Sequence, residues 1–217
     1  ARDYALWSLS LSINEVNQTI VLAEGGVTPL IRMLTDDAIK TREEAAAALA
    51  LLAYQNAETQ SAIARSGGVE PLVAMLDPGS SSPTAQEQAA AAIAELALLK
   101  DVAATIVRQG SIVPLVALVR AGREMGKRFA AAALARLARN QESTQAEIAN
   151  AGAIAPLVGL LAGDKGETAQ EEAAGALYEL AANANNRNAI TDSHGIGPLV
   201  SLLGSENSRT RQHAEGG

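Results

Sequence analysis

A chain of 217 residues with 48 % hydrophobic but only 2 % aromatic side chains must build its core from alanine and leucine, which points to close-packed helices rather than a sheet. The absence of cysteine excludes disulfides and thiolate metal sites and fits a reducing, intracellular setting, cytoplasmic or nuclear. A net charge of −7 argues against a surface coated by nucleic acid, and no apolar run approaches the roughly 20 residues of a membrane helix.

In chain order, residues 1–14 read as the latter part of a helix, with Leu6 and Leu9 one turn apart and Tyr4 and Trp7 on one face. From residue 15 a unit recurs. Pro29, Pro71, Pro114, Pro156 and Pro198 stand 42, 43, 42 and 42 residues apart, each followed by Leu and a branched aliphatic. Glycine precedes each proline closely, as in Gly25-Gly26 and Gly67-Gly68. Glycine just past a helix permits the left-handed turn, and proline suits the first turn of the next helix, where its missing N–H costs nothing. The unit therefore predicts a first helix carrying Ile20, Ile63, Ile106, Ile148 or Ile190, a sharp corner, and a short second helix. A longer third helix follows, opening at Thr41-x-x-Glu44, Thr84-x-x-Glu87 or Thr168-x-x-Glu171, patterns that predict a capping box. It runs on as an alanine stripe ending in Leu49/Leu52, Ile93/Leu96, Leu134/Leu137 or Leu177/Leu180. Alanine there lets neighbouring third helices approach closely.

The boundaries that follow are a partial third helix at 1–14, repeats at 15–56, 57–100, 101–140 and 141–184, and a truncated repeat at 185–217. Both ends then lack a covering neighbour, as in a piece cut from a longer array. The same feature predicts head-to-tail self-association through the uncapped ends.

A unit reading I-x-x-x-G-G-[IV]-x-P-L-V-x-L-L, a turn, then A-A-x-A-L-x-x-L-A resembles the armadillo repeat over essentially the whole chain. The resemblance implies an all-α, right-handed α-solenoid with three helices per repeat of about 42 residues, whose third helices line a concave groove that holds extended peptides. In the import adaptors of that family, Trp and Asn recur along the groove. Aligned on the Leu-x-x-Leu segment, the Trp-like positions hold Trp7, Ala50, Ala94, Ala135 and Tyr178, and the Asn-like positions hold Leu11, Tyr54, Leu98, Arg139 and Ala182. Only Trp7 matches, so the resemblance does not extend to recognition of basic import signals.

Groove candidates are therefore the scarce large side chains and the cations on that face: Tyr4, Trp7, Leu11, Tyr54, Leu98, Arg136, Arg139 and Tyr178. Rings on an alanine surface make interface anchors, or else fill gaps between third helices. Residues 101–139 carry seven basic and two acidic side chains, a net of +5 between acidic flanks. Such an island suits an acidic or phosphorylated peptide segment. Alternatively, Glu95, Arg136 and Glu179 share one register and form a ladder of ion pairs, which leaves Arg139 open.

Catalytic motifs fail on inspection. The segment Gly122 to Arg128 is one residue too short for a phosphate loop, lacks its Ser/Thr, and is read as the turn before a third helix with Gly126 at the N-cap. His194 and His213 have no ligand-like spacing, so neither a metal nor a cofactor is expected. What remains is a non-catalytic scaffold or adaptor for a protein or extended peptide, with no nucleic acid and no membrane insertion. The alternative is a structural array that associates head-to-tail.

Overall fold

The computed structural model describes residues 14–162 and 167–203. Tyr4, Trp7, Leu11 and the two ends expected to be uncapped lie outside the described residues. Among those described there are fourteen helices and no strand, divided into two compact units at Ser111/Ile112. The first unit holds α1 (Glu15–Ala23), α2 (Val27–Met33), α3 (Ile39–Ala53), α4 (Ala57–Arg65), α5 (Val69–Ala74), α6 (Pro83–Leu96) and α7 (Lys100–Arg108). The second holds α8 (Ile112–Ala121), α9 (Glu124–Ala138), α10 (Glu142–Asn150), α11 (Ile154–Leu161), α12 (Glu167–Ala181), α13 (Ala184–Asp192) and α14 (Ile196–Leu203).

Each corner is made as the glycines require. Gly25, Gly67, Gly110 and Gly152 have φ between 72° and 80°. The chain reverses through paired bonds: Gly25 N–H donates to the Leu22 carbonyl at 3.0 Å and Gly26 N–H to the Val21 carbonyl at 2.8 Å. These meet carbonyls that the helix end leaves open. The fifth corner repeats the bonds through His194 and Gly195, with His194 itself at φ 60°. A left-handed conformation strains a side chain that glycine lacks.

Packing follows the alanine stripe. In the first unit α3 lies against α6, and in the second α9 lies against α12. At these contacts Ala45, Ala46, Ala48, Ala89, Ala90, Ala130, Ala131, Ala173 and Ala174 are fully buried. Around them Leu49, Leu52, Ile93, Leu96, Leu134, Leu137, Leu177 and Leu180 complete the core. Each such leucine contributes about 1.5–3 kcal/mol by leaving water.

Three local expectations need correction. Ile20 is exposed; Val21 takes the place of Ile63, because the other isoleucines stand eight residues before their proline, a spacing that falls on Val21 in the first repeat. The Thr-x-x-Glu patterns are not the caps of α3 and α6. Helix α3 begins at Ile39 after Ala38, so Thr41 lies inside the first turn, buried, and Glu44 meets Lys40 at 3.6 Å. Helix α6 begins at Pro83, whose fixed φ starts the helix early, and the hydroxyl of Ser82 accepts from Ala85 N–H at 3.0 Å. Gly126 likewise falls inside α9, whose N-cap is Arg123.

Candidate functional site

On every third helix one stripe stays less covered than the rest, with residues three or four apart as one helical face demands. On α9 it runs through Met125, Arg128, Ala132, Ala135, Arg136 and Arg139. Alanines at the Trp-like positions make a buried floor: Ala50, Ala94 and Ala135 are each no more than 9 % exposed. Large side chains rise beside it. In the first unit these are Leu51 and Tyr54 at the end of α3 (38 % and 54 % exposed) and Leu98 after α6 (42 %); in the second it is Tyr178 on α12 (42 %).

The backbone beneath Tyr54 is held by side-chain amides. Gln18 from α1, itself buried, donates through Nε2 to the carbonyls of Leu51 and Tyr54, both at 3.0 Å. Its Oε1 accepts from Asn56 Nδ2 at 3.0 Å. Gln60 donates to the Ala53 carbonyl at 2.8 Å, and the Thr59 hydroxyl donates to the carbonyls of Leu52 and Asn56. Open carbonyls at the end of α3 are thereby met by side-chain donors, so the Tyr54 ring projects from an ordered platform.

The second unit is charged where the first is apolar. Arg139 Nε donates to Glu179 Oε1 on α12 at 3.2 Å, so the arginine that the sequence left open is the one tied to Glu179. Arg139 is 56 % exposed on its side chain, which keeps the value of this pair at about 0–1 kcal/mol. Arg136 is half-buried and engages a neighbour. Phe129 is half-buried with the Arg128 guanidinium carbon 5.3 Å from its ring centroid.

Of the eight sequence candidates, Tyr54 and Leu98 stand on the stripe of the first unit, and Arg136, Arg139 and Tyr178 on that of the second; the other three lie outside the described residues. Two residues escaped sequence reading. Leu51 sits in an aliphatic run indistinguishable from core. Arg128 was detectable by its place in the repeat: six residues before Leu49, Ile93, Leu134 and Leu177 stand Glu43, Glu87, Arg128 and Glu171. Among the described residues no group of three or more His, Asp or Glu side chains is arranged to hold a metal ion.

Three-helix repeats with a glycine corner and an alanine-packed third helix define a helical repeat protein. An Armadillo/beta-catenin-like repeat profile matches residues 14–54, 56–98 and 140–182. Among solved structures the chain is similar to a designed armadillo repeat protein, with 28 % identity and TM-score 0.89 over 99 % of this chain and 90 % of that one. It is also similar to an engineered protein, with 32 % identity and TM-score 0.88 over 98 % and 87 %. A third likeness is to a designed armadillo repeat protein in complex with the peptide (KR)4, with 26 % identity and TM-score 0.83 over 98 % and 90 %. A search of curated proteins found no match. The chain belongs to the armadillo-repeat family.

Proposed function

We propose that the chain is a non-catalytic protein-interaction module, a scaffold or adaptor that takes an extended peptide or a partner's extended segment along the stripes of its third helices. The observation that carries this reading is the exposure of Leu51, Tyr54 and Leu98 on a buried alanine floor, with the Tyr54 backbone fixed by Gln18. Large apolar and aromatic groups held in place lose little entropy on binding, which is what interface anchors require. Peptide binding by the designed relative supports the same use of the fold. In the second unit, the cations of α9 favour a partner with an acidic segment.

Screening the chain against an array of random peptides should yield binders whose affinity falls about 10- to 30-fold with Tyr54→Ala or Leu98→Ala, the loss typical of an interface hot spot. Binders indifferent to both substitutions would sink the reading. Growth of particle size with concentration in light scattering, without any peptide bound, would favour the head-to-tail array instead.

A further inference from the structure

The charged stripe of α9 contains one side chain built unlike the others. Arg139 is paired with Glu179, and Arg123, Lys127 and Arg136 each engage a neighbour. Arg128 is half-buried, and its Nε is shut away from solvent with no hydrogen-bond partner. A guanidinium N–H held out of water without an acceptor destabilises the free protein. The Phe129 ring at 5.3 Å offsets part of that through its π face, but a ring supplies no in-plane acceptor. Because the residue is only half-buried, solvent still reaches part of its planar fork.

Its place in the repeat gives the sign of what is missing. Where α3, α6 and α12 carry a carboxylate, α9 carries this arginine, inside a stretch whose net charge is +5. Carboxylates do stand near it in register: Glu124 lies one turn earlier on α9, and Glu171 stands at the matching register of α12 with Glu172 next to it in sequence. The Arg128 Nε nevertheless has no hydrogen-bond partner. The part of the fork that solvent reaches, its geometry suited to oxyanions, and the local positive charge converge on one ligand class.

We infer that Arg128 is the anchor for an anionic side chain, carboxylate or phosphoester, of an extended peptide lying on the α9 stripe. The bound oxyanion accepts from the guanidinium, with Met125 and Ala132 flanking it on the same face. This assignment rests on the peptide-binding reading and sets its specificity in the second unit opposite to that of the designed relative, whose peptide is basic.

Fluorescence anisotropy with three labelled probes tests it: a hexaglutamate peptide, a phosphoserine peptide of equal length, and (KR)4. Wild-type protein should bind the acidic probes in preference to (KR)4, with affinity falling as salt rises. Arg128→Gln should weaken acidic-probe binding about 10- to 100-fold, the range for hydrogen bonds to charged groups, and Arg128→Lys should recover part of it. A phosphoserine probe well ahead of hexaglutamate names phosphate as the source; equal affinities name charge alone. Arg128→Gln removes an unsatisfied buried donor, so a folding defect is not expected, and an unchanged urea midpoint checks this. Preference for (KR)4, no binding of either acidic probe, or equal acidic-probe binding by Arg128→Gln overturns the assignment. In those cases, array peptides that still depend on Tyr54 leave the peptide-binding reading standing, whereas indifference to Tyr54 removes that reading as well.

Discussion

Helices α4 and α7 hold the same place in successive repeats of the first unit, yet they are fastened to the preceding third helix in opposite ways. At α4 the fastening is polar. Asn56 caps the helix by accepting from Glu58 and Thr59 N–H, both at 3.1 Å, while Thr59 and Gln60 reach back to the carbonyls of Leu52 and Ala53. At α7 the corresponding residues are Leu99, Val102 and Ala103; Leu99 caps with no side-chain bond, and Val102 and Ala103 are buried. The end of α6 closes through turn bonds, Leu98 N–H to Glu95 and Leu99 N–H to Leu96, both at 3.3 Å. A cavity of about 470 Å³ opens beside the α7 start, lined by Ser61, Arg65, Leu99, Asp101 and Val102 among others. The two helices differ at their far ends too. The corner after α4 is Gly67-Gly68, whereas that after α7 is Gly110-Ser111, and the Ser111 hydroxyl is buried without a partner.

One backbone thus accepts two chemistries, with different consequences for damage. A satisfied polar junction fixes orientation but tolerates no lost member, because the abandoned partner stays buried. An apolar junction depends on area and yields gradually. The largest effect is therefore expected at α4. Thr59→Val keeps the shape of a fully buried side chain but strips the Leu52 carbonyl of its hydroxyl donor, at a cost of about 1–3 kcal/mol. Urea unfolding followed by circular dichroism should show the lower midpoint. A midpoint equal to wild type would mean that the polar junction holds nothing that the apolar one lacks.

A smaller effect of opposite sign is expected at the far end of α7. Ser111 occupies the place of Gly68 and Ala153, so Ser111→Ala fits a backbone already seen with alanine. Removing an unpartnered buried hydroxyl should raise stability by about 1 kcal/mol, read from the same urea curves. Loss of stability would reveal that the hydroxyl has an acceptor in solution.

The contrast also marks what sequence can convey. Prolines, corner glycines and the alanine stripe announce the helices because each has a local backbone cause, and the period multiplies the signal fivefold. Tyr54, Leu98 and Tyr178 could be placed on the outer stripe from the same register. The side-chain donors beneath the third-helix ends were not legible. Gln18, Gln60, Gln145 and Arg187 share one register, and their targets include carbonyls at third-helix ends, yet in sequence they look like solvent-facing residues of amphipathic helices. Only the fold brings donor and carbonyl together. The capping threonines failed for a related reason: where each helix begins was decided upstream, by Pro83 and Ser82 for α6, and a local motif lost to its neighbour. Arg128 was visible as a charge reversal, but its buried Nε was not.

If the junction chemistry is as transferable as this comparison implies, the polar clamp can be moved. Ala103 matches Gln60 in register, and the Ala97 carbonyl at the end of α6 matches that of Ala53. Ala103→Gln therefore places an amide where α4, α10 and the first helix α1 already carry one. If it reaches the carbonyl, the net gain is that of one intramolecular hydrogen bond, about 0.5–1.5 kcal/mol. If the packing around Ala103, which is 6 % exposed, leaves no room, the buried amide stays unsatisfied and stability falls by about as much or more. Repeat arrays open in parts, so a global midpoint blurs the outcome, and hydrogen exchange of the α7 amides is the sharper measurement. Slower exchange confined to α7 would show that the two junctions differ by their side chains alone. Faster exchange there would show that the backbone at α6–α7 has already settled into the apolar form, so that the two chemistries are not interchangeable.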